Sequence, residues 1–189
     1  MIAFLLFIFG RNSLPAQSPI EVAGSPTIVA TNSGDWTSPD TWGGATPVTD
    51  DRVLIPAGIT VTVNAEIATA FKSIRIQGGT LRFSNNVNTK LSVEYIVSNP
   101  TGRLEIGSSS NPIASTVTAK LFFADRGGTT PEDDHDRFAP GAVLMGPVEM
   151  RGMEKTSWTT LQIHPDAGDN NLVLDTSPIG WEAGDQLVL

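Results

Sequence analysis

Beyond residue 50, apolar and polar residues alternate in short runs, and Gly, Asn, Pro and Ser interrupt them. A period of two between turn residues predicts half-buried β-strands. The expected strands are 52–55, 60–63, 73–77, 80–83, 90–97, 103–106, 117–123, 142–145, 148–151, 160–164, 171–175 and 186–189. Residues 65–71 read as either a short helix or a loop. No window sustains a helical period, so the chain is expected to be all-β.

A longer period overlies the short one. Leu81 and Leu104 stand 23 residues apart, as do Phe83 and Ile106, and Ile74 and Ile96 stand 22 apart. A repeat of about 20–25 residues, made of two or three short strands, fits one coil of a parallel β-helix. In such a fold the inward Ile, Leu, Val and Phe of one coil stack on the same positions of the next, and glycines turn the corners. An antiparallel β-sandwich, which also joins short strands by turns, is the alternative. Stacked coils need a cover over the first one, because open strand edges pair with other chains.

The stretch from Gly34 to Gly44 suits that cover. It holds Trp36 and Trp42 among Gly, Pro, Asp and Ser, a composition that forms an ordered loop and not a helix. Either tryptophan can fill the open end of the coil or present a flat face to a sugar ring. Trp42 is assigned to the core, and Trp36 stays open as a ligand-binding residue.

Composition narrows the class. Of 189 residues only 17% are charged, and the formal net charge is −8. With no Lys/Arg cluster to neutralise phosphates, nucleic acid and anionic lipid are excluded as expected partners. There is no cysteine, which removes disulfides, zinc–thiolate sites and cysteine nucleophiles. Residues 2–9 form an apolar run much shorter than the roughly 20 residues that a membrane-spanning helix needs. The run matches the core of a secretory signal. We therefore expect a signal peptide at 1–18, a linker at 19–33, no transmembrane span and a secreted or cell-surface location.

Several separated motifs then occur in a recognisable order. They are Trp42-Gly43-Gly44, Pro47, Asp50-Asp51 and Ile55-Pro56-Ala57-Gly58, followed by Ile74, Ile76, Gly78-Gly79, Leu81 and Phe83. Leu91, Tyr95-Ile96, Gly102, Leu104 and Ile106-Gly107 complete the set. From about Trp36 to Phe123 the chain resembles the G8 domain, found in fibrocystin-like receptors, in hyaluronan-depolymerising proteins and in bacterial secreted proteins. Later residues, Val148 to Leu161 and Trp181 to Leu189, resemble the segments that follow this domain in the hyaluronan-depolymerising branch. The chain departs from the family pattern at Leu121-Phe122-Phe123-Ala124, at Arg151 and in the loop 126–137.

The resemblance implies a G8-like domain over 34–125 that caps and continues into a right-handed parallel β-helix. An acidic insertion at 126–141 and the start of the helix body at 142–189 would follow, within a longer chain. It also implies a carbohydrate-interaction and folding-cap module of a bacterial-type extracellular protein. Two alternatives remain: part of a hyaluronan-like polysaccharide depolymerase, and a structural or adhesive surface protein. The expected partners are an extracellular polysaccharide and the remainder of the same chain.

Candidate chemistry concentrates in Glu132-Asp133-Asp134-His135-Asp136. Asp133, Asp134 and Asp136 are candidate ligands for calcium, a hard cation that takes oxygen donors. Asp134 and Asp136 are also candidate catalytic carboxylates, because glycoside cleavage needs such a pair. A solvated surface loop is the plainer reading. Arg126 is a candidate for meeting a uronate carboxylate with its planar donor fork, for binding or catalysis, against a rim-exposed ion pair. His164 reads as a polar strand tip and Asp185 as an Asx-type turn residue. No Ser-His-Asp order, phosphate loop or dinucleotide fingerprint occurs.

Overall fold

The alternating runs become strands whose backbone groups pair with neighbours of like direction. The computed structural model describes residues 25–126 and 139–188. Its strands are β1 (Ile28–Val29), β2 (Gly34–Asp35), β3 (Arg52–Pro56), β4 (Thr60–Val63), β5 (Glu66–Gln77), β6 (Thr80–Phe83), β7 (Thr89–Ser98), β8 (Arg103–Ile106), β9 (Ala119–Phe123), β10 (Gly141–Leu144) and β11 (Val148–Met150). One sheet runs β1-β3-β5-β7-β10 with β9 also beside β7, and the other runs β11-β8-β6-β4-β2. All pairings between these strands are parallel, which excludes the antiparallel sandwich. Up to β8 each strand crosses to the opposite sheet and lies beside the one before last, so the chain winds in stacked coils.

The 22- and 23-residue echoes are the register of these coils. Ile74 pairs with Ile96, and Leu81 with Leu104 and Phe83 with Ile106. The inward positions line up in columns such as Val61-Leu81-Leu104 and Val53-Ile74-Ile96. Every residue in those two columns is at most 1% exposed. At about 25 cal/mol per Å² of apolar surface, each such side chain contributes roughly 1.5–3 kcal/mol.

Two sequence expectations are corrected. Residues 66–71, read as helix or loop, begin β5. Ile67, Thr69 and Phe71 alternate with Glu66, Ala68 and Ala70, and pairing of Phe71 with Val93 buries its ring. Strand pairing overrides the helical preference of the alanines. The runs 160–164 and 171–175 form no strands and pair as backbone at the antiparallel bridge between Leu161 and Leu174; residues 186–188 form none either. They do not lie beside β10 or β11, so no ladder holds them extended. Within the stretch 19–33 expected as a linker, Ile28–Val29 form β1, where Thr27 N–H donates to the Arg52 carbonyl and Ala30 N–H to that of Leu54.

The strand alternation breaks once per coil. Phe71 and Ile74 both point into the core, as do Val93 and Ile96, a spacing of three that turns a corner. Lys72 and Glu94 sit at this corner and form an ion pair at 2.8 Å, both largely buried. On the next coil Phe123 pairs with Val93 and Gly141 with Tyr95. Seventeen residues thus separate the register positions Phe123 and Gly141, where Glu94 alone separates Val93 from Tyr95 one coil earlier.

The opposite corner is made of close-stacked backbone. A Cβ on Gly102 would lie 2.3 Å from the Ile76 carbonyl oxygen, and one on Gly146 1.8 Å from that of Gly102. Only a missing side chain lets the coils approach to ladder distance there. Gly102→Ala and Gly146→Ala should each lower stability by about 2–3 kcal/mol in urea unfolding. Gly152→Ala, which meets nothing within 4 Å, should leave the midpoint unchanged.

Candidate ligand-binding groove

Trp36 and Trp42 pack against each other edge to face, ring centroids 5.0 Å apart, and Trp36 meets Phe71 at 5.1 Å. The 3₁₀ helix Pro39–Trp42 folds back so that the Trp42 indole N–H donates to the Trp36 carbonyl at 2.8 Å. Thr41 ties the turn down, its hydroxyl donating to the Asp35 carbonyl at 2.8 Å. Trp36 is 2% exposed. A ring so enclosed has no face to offer a sugar, and the reading of Trp36 as a ligand-binding residue is overturned. It fills the first coil together with Trp42.

Arg126 lies at the corner where the insertion begins. Its Nη1 donates to Asp50 Oδ1 at 2.5 Å and to the Ala70 carbonyl at 3.3 Å. The pair is partly exposed and joins the end of the β9 coil to the turn before β3. Asp133, Asp134 and Asp136, with the rest of the acidic stretch, lie outside the described residues. Among the described residues no three acidic or imidazole groups cluster as metal ligands. His164 is exposed, its Nδ1 3.0 Å from the Pro165 carbonyl oxygen. Asp185 accepts from the Glu182 backbone N–H and from Lys155. These bonds, the backbone one first, lower its pKa. It closes the turn 182–185, but its carboxylate reaches back three residues and not two ahead, so the expected Asx-type turn is not formed.

The polar site that the structure assembles is elsewhere, on the outer face of the sheet β11-β8-β6-β4-β2. Parallel register aligns Thr62, Arg82, Glu105 and Glu149 on four successive strands, each about 4.8 Å from the next. Because Leu81, Phe83 and Leu104 point inward, their alternates must point out. The Arg82 guanidinium donates to both Glu105 oxygens, at 2.8 and 3.4 Å. Arg103 joins the two acids, with Nε 3.2 Å from Glu105 Oε2 and Nη2 2.5 Å from Glu149 Oε2. Ser109 N–H donates to Glu149 at 2.8 Å, and Arg151 stands 3.6 Å away from it.

This ladder floors a groove of about 630 Å³, walled at one end by the loop Ser108, Ser109, Ser110 and Asn111. Two guanidinium groups, two carboxylates, hydroxyls and two amides give a polar surface of balanced charge. Such a surface exchanges hydrogen bonds with a hydroxylated ligand. Both carboxylates are paired with guanidinium groups, Glu105 with Arg82 and Arg103 and Glu149 with Arg103. Neither Trp36 nor Arg126, the expected site residues among those described, lines this groove, although Arg82 and Glu105 stand 23 residues apart. Carrying the core repeat one position outward would have found the pair.

A family model described as the G8 domain matches residues 41–162, a span that begins after Trp36 and holds the whole charge ladder. Comparison with the curated proteins and with the solved structures returns no match. Among the described residues no helix is long and apolar enough to cross a membrane.

Removing Arg103 leaves two close carboxylates without their shared cation. A double-mutant cycle of Arg103→Ala and Glu149→Ala should return a coupling of about 1–2 kcal/mol in chemical unfolding. A coupling near zero would make the ladder a solvated surface pair.

Proposed function

The chain belongs to the G8 domain family, and on that premise we propose that it is the capping module of an extracellular protein, starting a stack of parallel coils. The carrying observation is the contrast between the two ends of the described stack. The first coil is sealed by Trp36 and Trp42. In the last described coil Val148 and Met150 take the register positions of Leu104 and Ile106, yet they are 43% and 57% exposed. A further coil carrying apolar residues at alternate positions, from the remainder of the same chain, completes these columns. The cap supplies the finished edge that the coils grow from.

The groove beside Arg103 supports a second role, contact with a polysaccharide. A chain of hydroxylated rings lying along the sheet meets donors from Arg82 and Arg103 and acceptors from the serine loop. The depolymerase alternative is less favoured, since a glycosidase pair needs one carboxyl group free to give its proton.

Two experiments test these roles. Trp36→Ala should cost about 3–5 kcal/mol and reduce hydrogen-exchange protection in β3 to β8 together, whereas fraying confined to β1 and β2 would contradict a capping role. On a glycan array the folded chain should bind and its Arg82→Ala/Arg103→Ala variant should not. A flat array with folded protein would sink the binding role. Shortening of hyaluronan by the protein, lost in Glu105→Gln, would replace it with the depolymerase reading.

A further inference from the structure

The other sheet carries a cationic patch that the groove does not use. Leu91 and Val93 point into the core, so Lys90 and Ser92 of β7 face outward, as do Lys120 and Phe122 of β9. Register places Lys90 beside Lys120 and Ser92 beside Phe122. Two ammonium-bearing side chains thus stand on neighbouring strands about 4.8 Å apart, an arrangement that destabilises a sheet. Neither pairs with a carboxylate among the described residues. The next residue along this lane is Glu66, register partner of Lys90 on its other side, and it forms no ion pair with Lys90. Lys90 lies over the Phe122 ring, 5.7 Å from its centroid.

Phe122 is 55% exposed. The lane it belongs to continues through the buried Ser92 to the half-buried Ala70, both small, so the ring is the part of the lane that stands clear. An exposed aromatic ring and two ammonium groups without a carboxylate partner are complementary to a flat ring that carries an anion. In a chain of net charge −8 such a pair of cations is out of keeping with the bulk surface.

We infer that this face binds a sulfated polysaccharide: a sugar ring stacks on Phe122 and its sulfate ester sits between Lys90 and Lys120. The choice of anion follows from the donors. An ammonium group is a compact charge with three rotatable donors and suits a tetrahedral oxyanion, whereas a planar carboxylate is matched by the arginine fork. The inference does not depend on the groove, which lies on the other sheet and has different residues.

The test uses the full chain and dextran sulfate, with unsulfated dextran and polygalacturonate as comparisons, in calorimetric titration at low salt. Dextran sulfate should bind, weaken with added salt, and lose about tenfold in affinity in Lys90→Gln/Lys120→Gln. Phe122→Ser should weaken it several-fold, and Lys155→Gln, which removes a lysine charge elsewhere, should leave it unchanged. Should the double variant fail to fold, the exposed single variant Lys120→Gln carries the same expectation. Unchanged dextran sulfate binding in these variants would overturn the inference. So would equal binding of polygalacturonate lost in the same variants, since the anion would then be a carboxylate. Capture by phosphatidylglycerol vesicles as strong as by dextran sulfate, and lost in the same variants, would make the partner a membrane surface and also overturn it.

Discussion

Parallel, in-register stacking of one coil on the next is the constraint on which the rest of this structure depends. Strands that run the same way and stay in register place like positions over like positions at the ladder spacing. A residue choice is thereby repeated as a column. Apolar columns such as Val61-Leu81-Leu104 make the core continuous. At the corner of Gly102 and Gly146 the same spacing leaves no room for a Cβ. A polar column on the outer face becomes a ladder of charges. Core, corners and surface chemistry are three results of one geometry.

A column must end somewhere, and its ends carry the cost of unpaired backbone and uncovered apolar surface. At the first coil this is met inside the chain. Trp36 and Trp42 fill the opening, and the indole N–H finds a partner in the Trp36 carbonyl, so the aromatic bulk is buried without stranding a donor. At the last described coil Val148 and Met150 remain exposed. The difference gives the stack a direction, with the tryptophans buried at its closed end.

The charged outer faces differ in what they leave available. On the β4-β6-β8-β11 side the arginines are committed to Glu105 and Glu149, and what remains for a ligand is hydrogen bonding. On the β7-β9 side the lysines have no such partners among the described residues. A fold built from parallel columns readily produces both, since one substitution in a ladder decides whether neighbouring charges match or repel. Pairing with β7 is kept on both sides of the Glu94 corner, by Phe123 against Val93 and by Gly141 against Tyr95.

How much was legible beforehand follows from the range of each interaction. Alternation and turn residues are local, and they placed β4, β6 and β8 at their observed bounds. The 23-residue echo is a direct imprint of coil stacking, so register and core columns were readable, and the resemblance to the G8 domain was confirmed over 41–162. What depends on contacts between distant residues was not readable. Residues 66–71 became strand because β7 lies beside them. Residues 160–164 and 171–175 stayed irregular because nothing pairs with them except each other. Trp36 lost its proposed ligand because Phe71, from a later coil, closes over it. Arg82, Arg103, Glu105 and Glu149 read in one dimension as scattered surface charges. Only the stacking of four strands makes them neighbours.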